Sequence, residues 1–342
     1  MVVTSAVSIR LLASRTLNQL RCWTSYALSL LGVVRVRHLP TFVSVEPANY
    51  CQLRCPECPV GNASNRITES PNHRLSISLF KRILEQIQAT AHTMQFYFQG
   101  EPLLNKQLPE MIAMAQKVGL YTIVSTNAQV LTKDMANKLV KSGLSRIIVS
   151  IDGFSEESYA AYRVGGSLHR ALEGLQFLHE AKEQCRSSIR IELQVLRLKT
   201  NEHEWSWIKK NYKKLGATQL VFKTAQLYNF EHGHPLMPTD ERYSRYKKIA
   251  DGTYVHKSSP LHSTPYTIHR AFGALCLRLW SGCVITTSGD ILPCCYDKEH
   301  RHALGNITTH SLREIFHSSK ANNLRKHILK GNLPEMCKNC DH

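Results

Sequence analysis

Eleven cysteines are spread unevenly along this 342-residue chain, and their spacing is the first feature with chemical content. Three fall within eight positions, in Cys51-Gln52-Leu53-Arg54-Cys55-Pro56-Glu57-Cys58. Six gather near the C-terminus as Cys276, Cys283, Cys294, Cys295, Cys337 and Cys340, while Cys22 and Cys185 stand alone and read as small buried apolar residues. A chain this long would need more cysteines for a disulfide scaffold, and short fixed intervals between thiols point to metal ligation in a reducing compartment. Structural zinc wants four closed ligands, and no fourth Cys or His lies at short spacing from the first triplet. A [4Fe-4S] cluster on three thiolates leaves one iron open to a small molecule instead. In the second group, Cys276, Cys294, Cys337 and Cys340 offer four thiolates; Cys295 could exchange with Cys294, and Cys283 is left over. A four-cysteine zinc ribbon competes for that set, because the C-x2-C half serves zinc and iron alike.

Ligands at such spacing need rigid elements to aim them. From Phe42 the chain alternates short β-rich runs with amphipathic stretches, the pattern of βα units feeding a parallel sheet. Strands are predicted at Phe42 to Glu46, Gln95 to Phe98, Tyr121 to Ser125, Arg146 to Ile151, Ile189 to Leu196 and Gln219 to Thr224. Helices are predicted at Ser78 to Thr90, Leu108 to Val118, Lys133 to Ser142, Leu168 to Glu183 and Glu202 to Leu215. Six βα repeats fall short of the eight that close a full barrel, so the expected fold is α/β, a partial (β/α)6 TIM-type barrel. A small C-terminal α+β cluster-binding domain should follow it. The rhythm stops in Ala225 to Leu275, where the one helix-like piece is around Glu241 to Ala250. Beyond it, Val284 to Thr287 and Ile291 to Pro293 flank Ser288-Gly289-Asp290 as a hairpin, and Ser311 with Glu314 forms a capping box for a helix. The expected organisation is an N-terminal helical segment over 1–40, the barrel over 41–225, a connecting and substrate-capping region over 226–275, and the cluster domain over 276–342.

The C-x3-C-x2-C loop directly after the first strand resembles the signature of the radical S-adenosylmethionine (SAM) superfamily. The resemblance implies that Cys51, Cys55 and Cys58 hold a cluster whose open iron chelates SAM, and that reductive cleavage yields a 5′-deoxyadenosyl radical. Gln99-Gly100-Glu101-Pro102 is similar to the family's Gly-Gly-Glu-Pro, implying that Gly100, Glu101 and Pro102 meet the SAM amino group. Ser125 and Asn127, then Ser150 and Asp152, end the next two strands where relatives bind the ribose and carboxylate, and Arg163 resembles the arginine that meets the carboxylate. Two positions depart from the pattern: Gln99 replaces the first glycine, and Glu57 replaces the aromatic residue before the last cysteine. Taken singly, Gly-Glu-Pro is an ordinary turn and a lone arginine an ordinary solvated charge. Their order at successive strand ends, where active sites of parallel barrels gather, carries the resemblance.

From Cys276 through Leu279-Trp280, Gly289-Asp290, Cys294-Cys295 and Leu304-Gly305-Asn306 the chain resembles the SPASM and Twitch extensions of radical SAM enzymes. That implies a second, auxiliary [4Fe-4S] cluster on Cys276, Cys294, Cys337 and Cys340, in the single-cluster form. The function implied is hydrogen abstraction that oxidises or rearranges an unidentified substrate, with the auxiliary cluster accepting an electron. Alternatives are a peptide-modifying maturase and a non-catalytic iron-sulfur scaffold. Gln99, Lys223, Gln226 and Tyr228 are the candidate substrate-facing groups, the substrate being a small molecule or peptide, and a reductant such as flavodoxin or ferredoxin is implied.

Charge narrows the partners. Lys and Arg outnumber Asp and Glu by 43 to 26, a formal +17 that suits polyanions. No RNA-binding signature or aromatic-interleaved basic stripe accompanies it, which argues against nucleic acid. The first acidic residue is Glu46, while Arg10, Arg15, Arg21, Arg35 and Arg37 interrupt apolar stretches too short to span a bilayer. Three readings of this segment stand: a mitochondrial transit peptide, a basic amphipathic helix touching a membrane surface, or a helix packed outside the main domain. The expected location is cytoplasmic, with or without membrane association.

Overall fold

Alternation of apolar and polar residues along six short runs decides which face of each strand is covered. The structure is a computed structural model and describes residues 9–62, 73–257, 276–337 and 340. Its first six strands are β1 (Phe42–Val45), β2 (Thr93–Phe96), β3 (Tyr121–Thr126), β4 (Arg146–Ser150), β5 (Arg190–Arg197) and β6 (Gln219–Thr224), each parallel to the next. Val43, Val45, Met94, Phe96, Ile147 and Val149 point one way into the main core. Helices Ile77–Ile87, Leu108–Lys117, Lys133–Lys141 and Leu168–Gln184 cover that face with their own apolar stripes. Three of them start on side-chain caps from Ser76, Thr132 and Ser167. The other sheet face carries polar groups, among them Ser44, Gln95 and the ion pair of Arg146 with fully buried Glu192.

The strands of the C-terminal region join the main sheet. Strand β9 (Gly282–Ile285) lies parallel to β1 on its free edge, β10 (Asp290–Leu292) returns antiparallel to β9, and β11 (Gly305–Asn306) follows β10. One nine-stranded sheet results, in the order β11-β10-β9-β1-β2-β3-β4-β5-β6. Ser311 and Glu314 form the expected capping box on helix Leu312–His317, and helix Ser319–Leu329 follows.

Two expectations are corrected. Glu241 to Ala250 is not a helix: a 3-10 turn at Glu241–Tyr243 leads into a hairpin of β7 (Tyr246–Lys248) and β8 (Tyr254–His256). Asp251-Gly252 makes the turn, with Gly252 at φ 88° and the Asp251 carboxylate accepting from the Thr253 N–H and hydroxyl at 2.8 and 2.6 Å. The helix expected over Glu202 to Leu215 is α-helical only at Trp205–Asn211, after a 3-10 segment Lys199–Glu204. There Asn201 donates to the Asp152 and Leu196 carbonyls and so ties the segment to the strand ends. Residues 258–275 of the long connecting region lie outside the described residues.

The N-terminal helix Ile9–Leu30 packs on the protein through a polar face. Buried Arg15 donates to the carbonyls of Gln88, Val118 and Gly119 at 2.5 to 2.9 Å, the C-terminal ends of two sheet-covering helices. A fixed cation there satisfies orphan carbonyls and meets the negative ends of both helix dipoles. Cys22 is fully buried against Trp280, Leu279 and Ile328, and the Tyr26 and Trp280 rings meet edge-on at 5.7 Å. Cys185, by contrast, is half-buried at a helix C-cap.

Candidate functional site

Because β1 to β6 are parallel, the loops after them converge at one edge of the sheet. Cys51, Cys55 and Cys58 follow β1; the Cys58 N–H donates to the Cys55 carbonyl at 3.1 Å, curling the loop. The three cysteines pack in one apolar cluster with Leu53 and Tyr162. Burial pushes the Cys51 thiol up to about 12 and raises Cys55 as well, so thiolates here need a metal or a cation to be stable. Among the described residues no three His, Cys, Asp or Glu side chains are gathered tightly enough for a single metal ion.

Gly100 is where the second loop meets the first. A Cβ there would stand 2.1 Å from the Ala48 carbonyl oxygen and 2.7 Å from the Tyr50 nitrogen, so only glycine permits the approach. Pro102 opens a 3-10 turn capped by buried Glu101, whose Oε1 accepts from the Leu103 N–H and the Thr126 hydroxyl at 3.1 and 2.7 Å. Its Oε2 accepts from the Asn127 N–H at 2.9 Å, and the Asn127 side chain reaches Cys51 Sγ at 3.4 Å. Arg163 binds Asp152 Oδ2 through Nε and Nη2 at 2.7 and 2.6 Å, leaving Nη1 at 3.9 Å from Cys55 Sγ. Asp152 Oδ1 accepts from the Leu196 N–H at 2.6 Å. Glu101 thus ties its turn to the end of β3, and Asp152 ties Arg163 to the backbone at Leu196. Ser150 is buried and Ser125 half-buried at the same edge.

Both departures from the family pattern have partners. Glu57 accepts from the Tyr228 N–H at 2.6 Å and pairs with His234 at 3.3 Å, binding the cysteine loop to the segment after β6. Gln99 donates to the Lys298 carbonyl at 2.8 Å, binding the second loop to the stretch beyond Cys295. Lys298 then reaches Gln226 and Tyr228 at 3.5 and 3.4 Å, so three of the four expected substrate-facing residues surround a lysine that sequence reasoning missed. No local pattern marks Lys298; its place follows from β10 turning the chain back across the sheet. Lys223, on β6, is exposed.

Sequence reasoning also missed Glu46. Just past β1, it is 1% exposed, its Oε2 has no partner, and backbone N–H groups of Thr287, Gln99 and Gly100 bond the carboxylate. Burial outweighs those bonds and lifts its pKa to about 7.

The second thiol group lies toward the opposite end of β1, since antiparallel β10 delivers Cys294 and Cys295 there. Phe42, Ser44, Gln95, Arg278, Cys294 and Cys295 line a cavity of about 300 Å³. Cys276 and Cys337 share an apolar cluster with Trp280, and Cys340 is within electrostatic range of Cys337. A bond shared with Cys294 and then the Arg278 guanidinium, 3.4 Å away, hold Cys295 below the ordinary thiol range; the same shared bond and burial push Cys294 up. Cys283 is buried in β9 within the main core, and burial, outweighing the opposing pull of Arg325, pushes its thiol up to about 12.

With this geometry in view, residues 45–191 match the radical SAM superfamily and residues 276–341 match SPASM, an iron-sulfur cluster-binding domain. The chain is 26% identical over 324 residues to the PqqA peptide cyclase of Bradyrhizobium diazoefficiens, covering 89% of this chain and 79% of that protein. The fold is similar to BtrN in complex with AdoMet and 2-DOIA (TM-score 0.52, 20% identity, 89% of this chain and 94% of that one). It is similar also to Streptococcus suis SuiB bound to precursor peptide SuiA (TM-score 0.60, 14% identity, 88% and 70%).

Proposed function

Because the chain belongs to the radical SAM superfamily and carries a SPASM iron-sulfur domain, we propose that it modifies a peptide by SAM-dependent hydrogen abstraction. The likeness to a PqqA peptide cyclase along 89% of the chain carries this reading, and it favours the maturase alternative over oxidation of a small molecule. The superfamily's cofactors are SAM and a [4Fe-4S] cluster, with auxiliary clusters in the SPASM domain. In our reading Cys51, Cys55 and Cys58 hold the first, Cys276, Cys294, Cys337 and Cys340 the second, and the bound pair supplies hydrogen-abstracting radical chemistry. An external one-electron donor of the flavodoxin or ferredoxin kind completes it.

What the chain itself does is position. Glu101 fixes the turn that holds Asn127 against Cys51, and Asp152 fixes Arg163 beside Cys55, each through hydrogen bonds. Gln99, Gln226, Tyr228 and Lys298 border the same edge with donors and acceptors suited to a peptide backbone. The two bonds made by Glu57 close the cysteine loop against the segment carrying Tyr228, restricting water at that side.

The test is anaerobic incubation of the reconstituted protein with SAM, a reductant and synthetic peptides encoded beside its gene. The expected result is 5′-deoxyadenosine release coupled to a peptide that has lost hydrogen. Product from a small molecule with every peptide inert would overturn the peptide assignment, and absence of 5′-deoxyadenosine would point to a scaffold.

A further inference from the structure

The helix Ile9–Leu30 is inside out. Its polar residues Arg15, Asn18, Ser25 and Ser29 are buried, with Asn18 bonded to the Leu39 backbone on both its N–H and carbonyl at 3.0 and 2.9 Å and Ser25 to His38 at 3.2 Å. The large apolar residues Ile9, Leu12, Leu17, Leu20, Trp23 and Leu28 face outward at helical spacing. Ile9 is 85% exposed, Leu20 60% and Trp23 50%, and Leu31 and Val33 extend the patch past the helix end. An outward apolar stripe longer than a soluble protein usually tolerates marks an interaction surface.

Charge selects the partner. Arg10 and Arg21 flank the stripe, Arg35 and Arg37 follow the helix, and all four are exposed. None makes an ion pair among the described residues, and no acidic residue precedes Glu46. An apolar stripe with Trp at its middle and arginines at its margins matches the boundary between acyl chains and anionic headgroups, where both parts are satisfied together. A second copy of the chain would bring its own four arginines against these, a like-charge cost that a lipid surface does not have. No described helix is long and apolar enough to cross a membrane.

We infer that helix Ile9–Leu30 lies on an anionic phospholipid surface and carries the whole protein there as a peripheral membrane protein. Arg15 fixes the rotation about the helix axis, since its three carbonyl partners hold the polar side inward. Those carbonyls end helices that lead into the N-terminal ends of β2 and β3, so the lipid-facing side is opposite to the edge bearing Cys51, Cys55 and Cys58. Substrate would reach that edge from water. The inference does not depend on the peptide reading.

Vesicle co-sedimentation of the full-length, cluster-loaded chain tests it, with phosphatidylcholine alone against phosphatidylcholine mixed with phosphatidylglycerol. Binding should require phosphatidylglycerol and weaken in salt. The double substitution Leu20→Asp with Trp23→Asp should reduce partition at least about tenfold, two acidic groups replacing two apolar anchors. Arg21→Glu with Arg35→Glu should reduce it by about fivefold or more per position. These side chains are exposed, so circular dichroism and melting should be unchanged; if the apolar variant fails to fold, the charge variant still decides through its headgroup dependence. Equal binding by all variants would overturn the inference and assign adsorption to the chain's general +17 charge. Failure of the unaltered chain to bind would also overturn it, and a dimer dissociated by Leu20→Asp with Trp23→Asp would identify a second copy as the occupant.

Discussion

Replacing Glu46 by Gln should make the protein more stable above neutral pH and remove the Glu46 contribution to its pH dependence. In the folded state Glu46 holds its proton up to about pH 7, whereas an unfolded chain releases it near 4.5. Between those values raising the pH removes a proton from the unfolded state first, so stability falls; below both there is no penalty, and above both the penalty is constant. The gap between about 7 and 4.5, at roughly 1.4 kcal/mol per pH unit, gives a loss of about 3 kcal/mol by pH 8. Gln keeps a carbonyl oxygen for the N–H groups of Thr287, Gln99 and Gly100 and never ionises. Anaerobic urea unfolding of both proteins at pH 5, 6, 7 and 8 measures the difference. A difference of about 1 kcal/mol at pH 5 that widens to about 3 kcal/mol at pH 8 is expected. Parallel profiles over the whole range would refute the assignment of a buried, proton-holding carboxyl.

Gly100→Ala should abolish SAM binding while sparing the C-terminal cluster, because the added carbon would collide with the Ala48 carbonyl; isothermal titration and iron analysis check both parts. Anaerobically reconstituted protein should hold about eight irons, falling to about half with Cys51, Cys55 and Cys58 changed to Ala. Replacing Cys337 and Cys340 by Ala should halve the iron too, yet spare SAM cleavage while eliminating product, provided circular dichroism shows the chain still folded. Arg163→Ala should destabilise the chain by about 3 to 5 kcal/mol in urea titration, since it strands the buried Asp152 carboxylate. Arg15→Ala should lower the melting temperature and expose helix Ile9–Leu30 to limited proteolysis, three carbonyls having lost their donor.

Legibility in the sequence followed the range of the interactions. All six parallel strands were readable, because period-two alternation is local and β-branched residues such as Val43, Val45, Ile147 and Val149 mark it. Strand β2 began two residues earlier than expected, at Thr93, since its polar Thr and Gln face the uncovered side. The cysteine loop and the Gly100-Glu101-Pro102 turn were found from spacing, but the bond of Glu101 to Asn127 and the pairing of Asp152 with Arg163 were not, each being decided between separate stretches of chain. Lys298, Glu46 and the partners of Glu57 depend on contacts across much of the chain, and no window of sequence contains them. The β7–β8 hairpin was missed although Asp251-Gly252 announces it, because the charged residues around it resembled a solvated helix. The N-terminal segment showed its arginines and apolar residues plainly, but not which of them would be buried.

The pairing of β1 with β9 has a bearing on how the chain is made. Phe42 meets Gly282 and Val45 meets Ile285, partners about 240 residues apart, so the edge of the first strand stays open until nearly the whole chain has left the ribosome. An open strand edge rich in valine is a template for pairing with other chains, and contacts of such long separation form slowly. Of the first six strands β6 stays at the sheet edge, and β1, which launches the cysteine loop, is the last of the other five to gain its second neighbour. A chain cut before Gly282 would carry every residue of the first thiol set and still expose that edge, which makes it prone to aggregation rather than a separable catalytic half.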